Sequence, residues 1–450
     1  MSVFNSLGSN YDFSFVVRTL FAGNKAGYRL QLIEYLKKKY GGEVLLTYKG
    51  REALRLALRI AGLSKKYTVG ICGFTCYAVY EAVVREGYKV RYLDIAEGDL
   101  NFSFEKFIEG IHKHPSMKLL IVQNTLGFPC EMEKISKFCK ERKIVLIEDL
   151  AHSIGAEYFE EQEAGTVGDY IVLSFSQDKM VDGISGGAVI IKDQRSKIKD
   201  QRFINIPLAQ QWRDRFYPLL TWIIRETYSF GLGKVLHAIF KKFDLLSKPM
   251  GQLQTDKIYR LPNWYCHLIH KQFMGLEEDL THRRKIASVY ANGIHKSVLL
   301  NVLMPQISRA SNLRFPIFVS NKPVIVRSEV TKQSFSTMGL LRHSLRSWSR
   351  NDSNRRDELI AFLKKQDIFV SDIWYDSPIA PKRFLRLTDY DHECPNSEKV
   401  SSMILNLPTH RNISEKDAKN IVEMINNWIT VEGEKVVQKS KIKDQKQVQN

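Results

Sequence analysis

The chain has 450 residues, of which 44% are hydrophobic and 26% charged, and its formal net charge is +18. These proportions are typical of a folded globular protein and exclude an intrinsically disordered or collagen-like chain. The length predicts two or three domains, at about 150 residues each. The basic excess favours anionic ligands such as nucleotides, sugar phosphates, anionic lipids or nucleic acid, without choosing among them.

Six cysteines are spread along the chain without any CxxC pair, which argues against a zinc site or a disulfide framework. The first 15 residues lack the basic region and apolar run of a signal peptide. The most apolar long window, 217–240, contains two basic residues, one acidic residue and a histidine, so we predict no membrane-spanning helix. We therefore expect a cytoplasmic protein.

Residues 1–40 form an N-terminal segment to which the sequence assigns no role. Residues 41–195 alternate between β-branched runs and segments of helical period. The predicted strands are Tyr67–Ile71, Val90–Ile95, Lys118–Gln123, Ile144–Glu148, Tyr170–Phe175 and Ala188–Lys192. The predicted helices are Glu52–Ile60, Tyr77–Arg85, Phe104–His112 and Met132–Glu141. This order predicts a large α/β domain whose mostly parallel sheet binds ligands at the carboxyl ends of its strands.

Residues 196–256 are aromatic, cationic and largely helical in pattern, and we interpret them as an insertion. Their apolar stripe consists of Trp212, Phe216, Leu219, Leu220 and Ile223. Two interpretations remain open. The insertion packs against the domain or a partner subunit, or residues 210–245 make a peripheral contact with a membrane surface or a lipid substrate, because basic amphipathic helices suit anionic interfaces.

Residues 257–432 predict a smaller C-terminal α+β domain. We expect a helix over Cys266–Gly293, short strands at Arg314–Val319 and Ile368–Val370, and a closing helix over Glu415–Trp428. Residues 433–450 are rich in lysine and poor in apolar side chains, and we expect a disordered basic tail.

Three groups of residues in the large domain could carry chemistry. Glu148 and Asp149 stand at the end of a buried strand, which places two acids at the ligand-facing edge of the sheet. Lys179 lies in a turn rich in serine and glycine, where partial burial would lower its pKa and suit Schiff-base formation. Gly50 and Arg51 open a helix whose free N–H groups could hold a phosphate, with Ser174 as a further donor. Together these parts predict a pyridoxal phosphate site.

With these motifs in place, the sequence resembles the DegT/StrS-type nucleotide-sugar aminotransferases from about Gly41 to Trp428. The family's S-G-T-x-A-L block is similar to Lys49–Leu54, its E-D-x-A-Q/H block to Glu148–His152, and its S-F-x-x-x-K block to Ser174–Lys179. Gly127–Glu133 and Cys394–Glu398 are similar to two further blocks in the same order.

The resemblance implies a fold-type I transferase that uses pyridoxal 5'-phosphate and works as a homodimer. Its substrates would be an amino-acid donor, foremost glutamate, and a nucleotide-linked keto-sugar for polysaccharide or glycoconjugate biosynthesis. Catalysis would rest on Lys179, which binds the cofactor and moves protons, and on Asp149, which pairs with the pyridine nitrogen. His152 would stand near the ring, and Ser174 with the Gly50–Arg51 turn would hold the phosphate.

The sequence departs from the family pattern at several of these positions. Arg51 replaces a threonine, and the aromatic residue that stacks on the cofactor aligns with Cys76, next to Tyr77. Ser185 stands in place of a glutamate, and Ile258 in place of an asparagine. These departures favour a divergent branch with an altered substrate or activity.

Two alternative functions follow from the same residues. Some relatives dehydrate sugars with a histidine in place of the lysine, and Lys179 argues against that reaction here. A non-catalytic regulator or membrane-peripheral scaffold that binds the cofactor stays open. His267 and His270 lie three residues apart but lack a third ligand, so we predict no metal site. We expect no nucleic-acid partner.

Overall fold

A nine-stranded, mostly parallel sheet forms the centre of the protein. The computed structural model describes residues 2–159, 162–193, 202–248, 256–320, 352–370 and 375–448, with only the backbone for 352–354 and 432–448. The sheet order is β10 (Phe203–Asn205), β11 (Ile258–Arg260), β2 (Glu43–Thr47), β9 (Gly187–Ile191), β8 (Tyr170–Ser174), β7 (Val145–Asp149), β6 (Met117–Gln123), β3 (Thr68–Cys72) and β5 (Lys89–Leu93). Five of its eight neighbouring strand pairs are parallel.

The alternation of side chains along each strand buries both faces of the sheet. On β6, Leu120 and Val122 belong to one apolar core, whereas Leu119 and Ile121 belong to the core on the opposite face. Helices cover the sheet, as expected for parallel strands. They include α3 (Gly50–Ala61), α4 (Tyr77–Arg85), α5 (Phe104–Lys113) and α6 (Met132–Glu141). The α/β class and the mostly parallel sheet predicted from the sequence are confirmed.

The N-terminal segment is integrated into the fold. It contains β1 (Val3–Phe4), α1 (Phe13–Leu20) and α2 (Gly27–Tyr40). Strand β1 pairs with β13 (Ile368–Phe369) near the C-terminal part of the chain, and α2 packs against α9 (Asn263–Met274). These contacts hold the first forty residues against the rest of the molecule.

The C-terminal part is smaller and mixes helices with short strands. After α9 come α10 (Leu276–Gly293), β12 (Phe315–Phe318), α11 (Asp352–Lys365), β13, β14 (Ile379–Ala380), α12 (Pro395–Met403), β15 (Ile404–Leu407) and α13 (Glu415–Val448). The single helix expected over Cys266–Gly293 is divided at Gly275, which favours a break because glycine is a poor helix former. Strand β14 pairs with β4 (Thr75–Cys76), beside the strand ends of the central sheet.

Two segments differ from the sequence-based expectations. Helix α13 continues to Val448, through residues for which we expected a disordered tail. Lysine, glutamate and glutamine are good helix formers, and a helix already nucleated at Glu415 can extend through them. Strand β11 lies within the residues assigned to the small domain, yet it belongs to the central sheet because it pairs with β2.

The predicted insertion combines strand β10 with two helices, α7 (Leu208–Glu226) and α8 (Leu232–Lys242). The buried face of α7 carries Asp214, Tyr217 and Ile224, while Trp212 and Phe216 of the predicted apolar stripe are exposed. The face toward the protein body therefore mixes polar and apolar side chains, and only the first part of the predicted stripe points outward. Among the described residues, no helix has the length and hydropathy needed to cross a membrane.

Candidate active site

A cavity of about 510 Å³ lies at the carboxyl ends of β6, β7 and β8. The sequence-predicted site residues that line it are Gly50, Arg51, Cys76, Asp149, His152, Ser174 and Lys179. They are separated by up to 129 positions in the sequence, from Gly50 to Lys179, and the sheet topology brings them together. The position matches the rule that ligands bind at the carboxyl ends of parallel strands.

The two adjacent carboxylates at the end of β7 have different partners. Glu148 is fully engaged with the protein, since it accepts hydrogen bonds from the Tyr158 hydroxyl and from the backbone N–H groups of Gly165 and Val167, at 2.8–2.9 Å. Asp149 accepts one backbone bond, from Ala151 at 3.0 Å, and lines the cavity. Adjacent strand residues point to opposite faces, so only one of the two acids reaches the site.

A tightly bonded turn holds Lys179 at the cavity. Asp178 has a left-handed backbone, with φ of 62°, and its N–H donates to Oδ2 of Asp182 at 2.8 Å. Two residues of the N-terminal segment complete the turn. Nδ2 of Asn10 donates to the carbonyl of Lys179 at 3.2 Å, and the Tyr11 hydroxyl donates to Oδ1 of Asp182 at 2.7 Å. The sequence assigned no role to this segment, which contains no recognisable motif.

Burial shifts the pKa values of Lys179 and Asp149, the two groups at the centre of the site. It lowers the pKa of Lys179 to about 8, although the nearby negative charges, Asp149 among them, partly oppose this. Burial also raises the pKa of Asp149, and the charge of Lys179 partly offsets the rise. A lysine with a pKa near 8 is roughly one-tenth neutral at pH 7, far more than an ordinary lysine, and only the neutral amine is nucleophilic.

The N-terminus of α3, at Gly50, forms a part of the cavity wall that is suited to bind a phosphate group. We refer to it as the Gly50 cradle. Gly50 packs so closely on β8 that a Cβ there would lie 2.6 Å from Cβ of Ser174, so only glycine allows this approach. The helix N-terminus presents free N–H groups at this point. Lys49 lines the same cavity and donates to the Ser185 hydroxyl at 2.8 Å, and burial lowers its pKa to about 8. Arg51 lines the cavity as well and lies 3.4 Å from a carboxylate oxygen of Glu81.

His152 is held by a chain of hydrogen bonds that reaches into the small domain. Thr75 donates to Gln123 at 2.8 Å, Gln123 donates to the Tyr375 hydroxyl at 2.6 Å, and that hydroxyl lies 3.2 Å from Nδ1 of His152. The N–H of Leu126 also donates to Nδ1, at 3.3 Å. Burial lowers the pKa of His152 well below its ordinary value, so the ring is neutral and carries its proton on Nε2.

Several residues differ from the expected placement or were missed. Tyr77 is absent from the cavity lining and stacks on Phe384, with ring centroids 4.9 Å apart. Gln123 and Tyr375 went unrecognised as site residues, because the contacts that unite them span more than 250 positions. Tyr375 reaches the cavity, and its neighbour Trp374 lies outside the described residues.

The histidines considered for metal binding pack against tyrosines of α2. The ring centroid of His267 lies 4.3 Å from that of Tyr28, and His270 lies 5.6 Å from Tyr35. Across the described ranges, no group of three histidine, cysteine, aspartate or glutamate side chains could hold a metal ion.

The donor set of the cavity fits pyridoxal phosphate. Lys179 supplies an amine with a lowered pKa for the aldehyde, and Asp149 supplies a buried carboxylate for a protonated ring nitrogen. The Gly50 cradle, which a side chain would fill, supplies N–H groups for the phosphate. All three lie on one cavity, as the cofactor's three functional groups require.

Comparison with known proteins gives a consistent result. The model of the DegT/DnrJ/EryC1/StrS aminotransferase family matches residues 26–426. An uncharacterised protein of Methanocaldococcus jannaschii, MJ1066, is 28% identical over 46% of this chain, and the match spans 54% of that protein. The dTDP-4-amino-4,6-dideoxy-D-glucose transaminase of Shigella dysenteriae is 23% identical, over 88% of this chain and 87% of that enzyme.

The fold comparison agrees with the sequence comparison. The aminotransferase PseC of Helicobacter pylori, involved in the biosynthesis of pseudoaminic acid, superimposes with a TM-score of 0.66. The superposition covers 94% of this chain and 98% of that chain at 17% sequence identity. At this identity the likeness confirms the fold-type I architecture and no more.

Proposed function

We propose that this chain moves an amino group from glutamate to a nucleotide-linked keto-sugar. The chain belongs to the DegT/DnrJ/EryC1/StrS aminotransferase family and is therefore a pyridoxal-phosphate-dependent sugar aminotransferase. The product would serve polysaccharide or glycoconjugate biosynthesis. The observation that carries the proposal is the single cavity on which Lys179, Asp149 and the Gly50 cradle meet.

In this proposal Lys179 has two tasks. Its neutral amine would hold the cofactor, and the amine would also move a proton at the substrate carbon. When bound, pyridoxal phosphate supplies electron withdrawal from that carbon. The turn closed by Asn10 and Asp182 supports these tasks, because it fixes the backbone that carries the amine.

Asp149 and His152 would orient the ring. A buried carboxylate is costly unless it has a cationic partner, so Asp149 favours a protonated pyridine nitrogen beside it. The neutral His152 can donate from Nε2 only, which gives the ring a fixed donor. Phosphate would be bound by the start of α3, Ser174 and the ammonium of Lys49.

Further cations line the cavity. Lys241 of α8 and Arg383 of the small domain belong to its lining, as does the ion pair of Lys248 with Asp244. Cations in a partly closed cavity attract anionic ligands, and a nucleotide-linked sugar carries a diphosphate. This lining supports a nucleotide-linked acceptor over a free sugar. The family resemblance adds the proposal that the enzyme is a homodimer.

Absorbance spectroscopy and a transfer assay test the proposal. Purified protein with added pyridoxal phosphate should show a band at about 410–430 nm. The Lys179→Ala variant should lose the band and roughly 10³-fold in transfer rate, whereas Lys242→Ala, an exposed lysine outside the cavity lining, should keep both. Amine transfer from glutamate should favour a nucleotide-linked keto-sugar over the free sugar.

Two results would contradict the proposal. A protein that shows no band with the cofactor would not be a pyridoxal phosphate enzyme. A Lys179-dependent band without transfer to any nucleotide-linked keto-sugar would instead favour a non-catalytic regulator or scaffold.

A further inference from the structure

Three helices each expose an apolar stripe on the side opposite their buried face. The exposed residues are Phe13, Val17 and Phe21 on or next to α1, Leu208, Trp212 and Phe216 on α7, and Leu232, Val235, Ile239 and Phe243 on or next to α8. Their spacing of three or four residues places each set along one side of its helix. We refer to these ten residues as the three-helix face.

Helix α7 contacts both of the other helices. The guanidinium of Arg215 donates to the carbonyls of Leu20 and Ala22 at the end of α1, at 2.9 and 3.0 Å. Helix α8 packs against α7, and the Asp244 carboxylate just beyond it lies 4.0 Å from a guanidinium nitrogen of Arg213. The stripes therefore occupy neighbouring helices.

The exposure is too large to be incidental. Phe21 is 81% exposed, Trp212 is 58% exposed and Phe243 is 66% exposed. Single exposed apolar side chains are ordinary, but stripes repeated on adjacent helices mark an interaction surface. The side of α7 that carries Asp214 is already buried against the protein, because Asp214 accepts hydrogen bonds from Tyr48 and Tyr265 in the core, both at 2.6 Å.

The charge around the face distinguishes between occupants. Helix α8 has no acidic residue and carries Lys234 and Lys242 outside the cavity lining. Arg18 lies in the last turn of α1, and the carboxylate of Asp244, next to Phe243, pairs with Lys248. Two copies that met through this face about a two-fold axis would place these cations close to one another. An anionic lipid surface complements them, and helices with lysines beside tryptophan, phenylalanine and leucine are typical of membrane interfaces.

We propose that the three-helix face docks the protein on the surface of an anionic lipid membrane without spanning it. Trp212 and the aliphatic and phenylalanine side chains enter the headgroup region, and Lys234 and Lys242 contact lipid phosphates. The opposite side of α8 lines the cavity through His237 and Phe240, so docking would hold the cavity close to the membrane. The proposal does not depend on which reaction the cavity performs.

Vesicle flotation tests this docking. The full-length protein, loaded with pyridoxal phosphate, is mixed with vesicles of phosphatidylcholine alone or with roughly 30% phosphatidylglycerol. We expect about tenfold more protein on the anionic vesicles at low salt, and a decrease as salt is added. Val235→Glu combined with Ile239→Glu should lower binding about tenfold, because it places charge in the apolar layer.

Matched control variants test whether binding depends on the three-helix face or on exposed apolar residues in general. Val302→Glu combined with Leu387→Glu changes two exposed apolar residues elsewhere and should leave flotation unchanged. Lys234→Gln combined with Lys242→Gln should reduce the preference for anionic vesicles and leave the cofactor absorbance intact. Equal flotation on both vesicle types, or no effect of the Val235 and Ile239 substitutions, would overturn the proposal. A lower molar mass of that variant in lipid-free light scattering would overturn it in favour of a second copy of the chain.

Discussion

The hydroxyl of Tyr375 lies 3.2 Å from Nδ1 of His152, and this contact joins the small domain to the wall of the cofactor cavity. Tyr375 has a left-handed backbone, with φ of 80°, which is strained for a residue with a large side chain. The buried hydroxyl also accepts a bond from Gln123. The chain thus maintains an uncommon backbone conformation at the point where Tyr375 can hold His152 in one tautomer.

Replacing Tyr375 by phenylalanine should disturb the histidine without emptying the core. The substitution leaves Nε2 of Gln123 without its acceptor, a loss worth about 1–3 kcal/mol for a buried group. We expect a lower midpoint of thermal unfolding and a changed absorbance maximum of the bound cofactor. Tyr77→Phe, at a tyrosine outside the cavity lining, is the matched control. An unchanged cofactor spectrum in Tyr375→Phe would show that the contact does not position the ring.

Lys49→Met should weaken binding of the cofactor phosphate specifically. Its ammonium lines the cavity beside Gly50 and Ser174, and a charge-assisted bond contributes about 1.5–3 kcal/mol, or roughly tenfold or more in affinity. Titration should show weaker binding of pyridoxal phosphate with little effect on pyridoxal, which lacks the phosphate. If the affinity for both ligands fell equally, Lys49 would not be a phosphate ligand.

Gly50→Ala should destabilise the cradle. Its added methyl group would lie 2.6 Å from Cβ of Ser174. Helix α3 and strand β8 are packed together here and cannot easily move apart. We expect a loss of about 1–3 kcal/mol in the free energy of unfolding and weaker cofactor binding. Gly27→Ala provides the comparison, since no atom lies within 4 Å of a Cβ at that position. Similar stability of the two variants would argue against the close approach.

The pH dependence of cofactor capture should follow Lys179. Because its pKa is lowered to about 8, the neutral fraction, and with it the rate of cofactor attachment, should rise with pH and level off above about 8. Stopped-flow absorbance measures this rate. A rate still rising steeply toward pH 10 would indicate a lysine with an ordinary pKa.

The lowered pKa of Lys179 should also affect the stability of the cofactor-free protein. The unfolded chain keeps lysine protonated up to about its ordinary pKa of 10.5, whereas the folded chain releases that proton above about 8. The unfolded state therefore binds more protons between these values, and the stability of the cofactor-free protein rises with pH across that window. Lys179→Met should show a smaller rise than the parent, because the part contributed by Lys179, at most roughly 3 kcal/mol, is lost. Denaturant titrations of both proteins at pH 7 and pH 10 measure the difference.

The local pattern of the sequence was sufficient to predict the central architecture and the central chemistry. Short runs of β-branched residues predicted the six strands, and the motifs around Gly50, Asp149 and Lys179 indicated a cofactor site, because each signal lies within about ten consecutive residues. The same information could not distinguish the roles of Glu148 and Asp149, since both are acids at one strand end. Their difference depends on which face of the sheet each side chain enters.

Only the tertiary structure revealed the surroundings that make those groups work. Asn10 and Tyr11 close the lysine turn from 169 and 171 positions away, and Tyr375 reaches His152 across 223 positions. No periodicity or motif encodes such contacts, because they depend on how the chain ends pack around the sheet. The outward direction of Trp212 and Phe216 on α7 was equally hidden, since the buried polar partners of Asp214 come from distant segments.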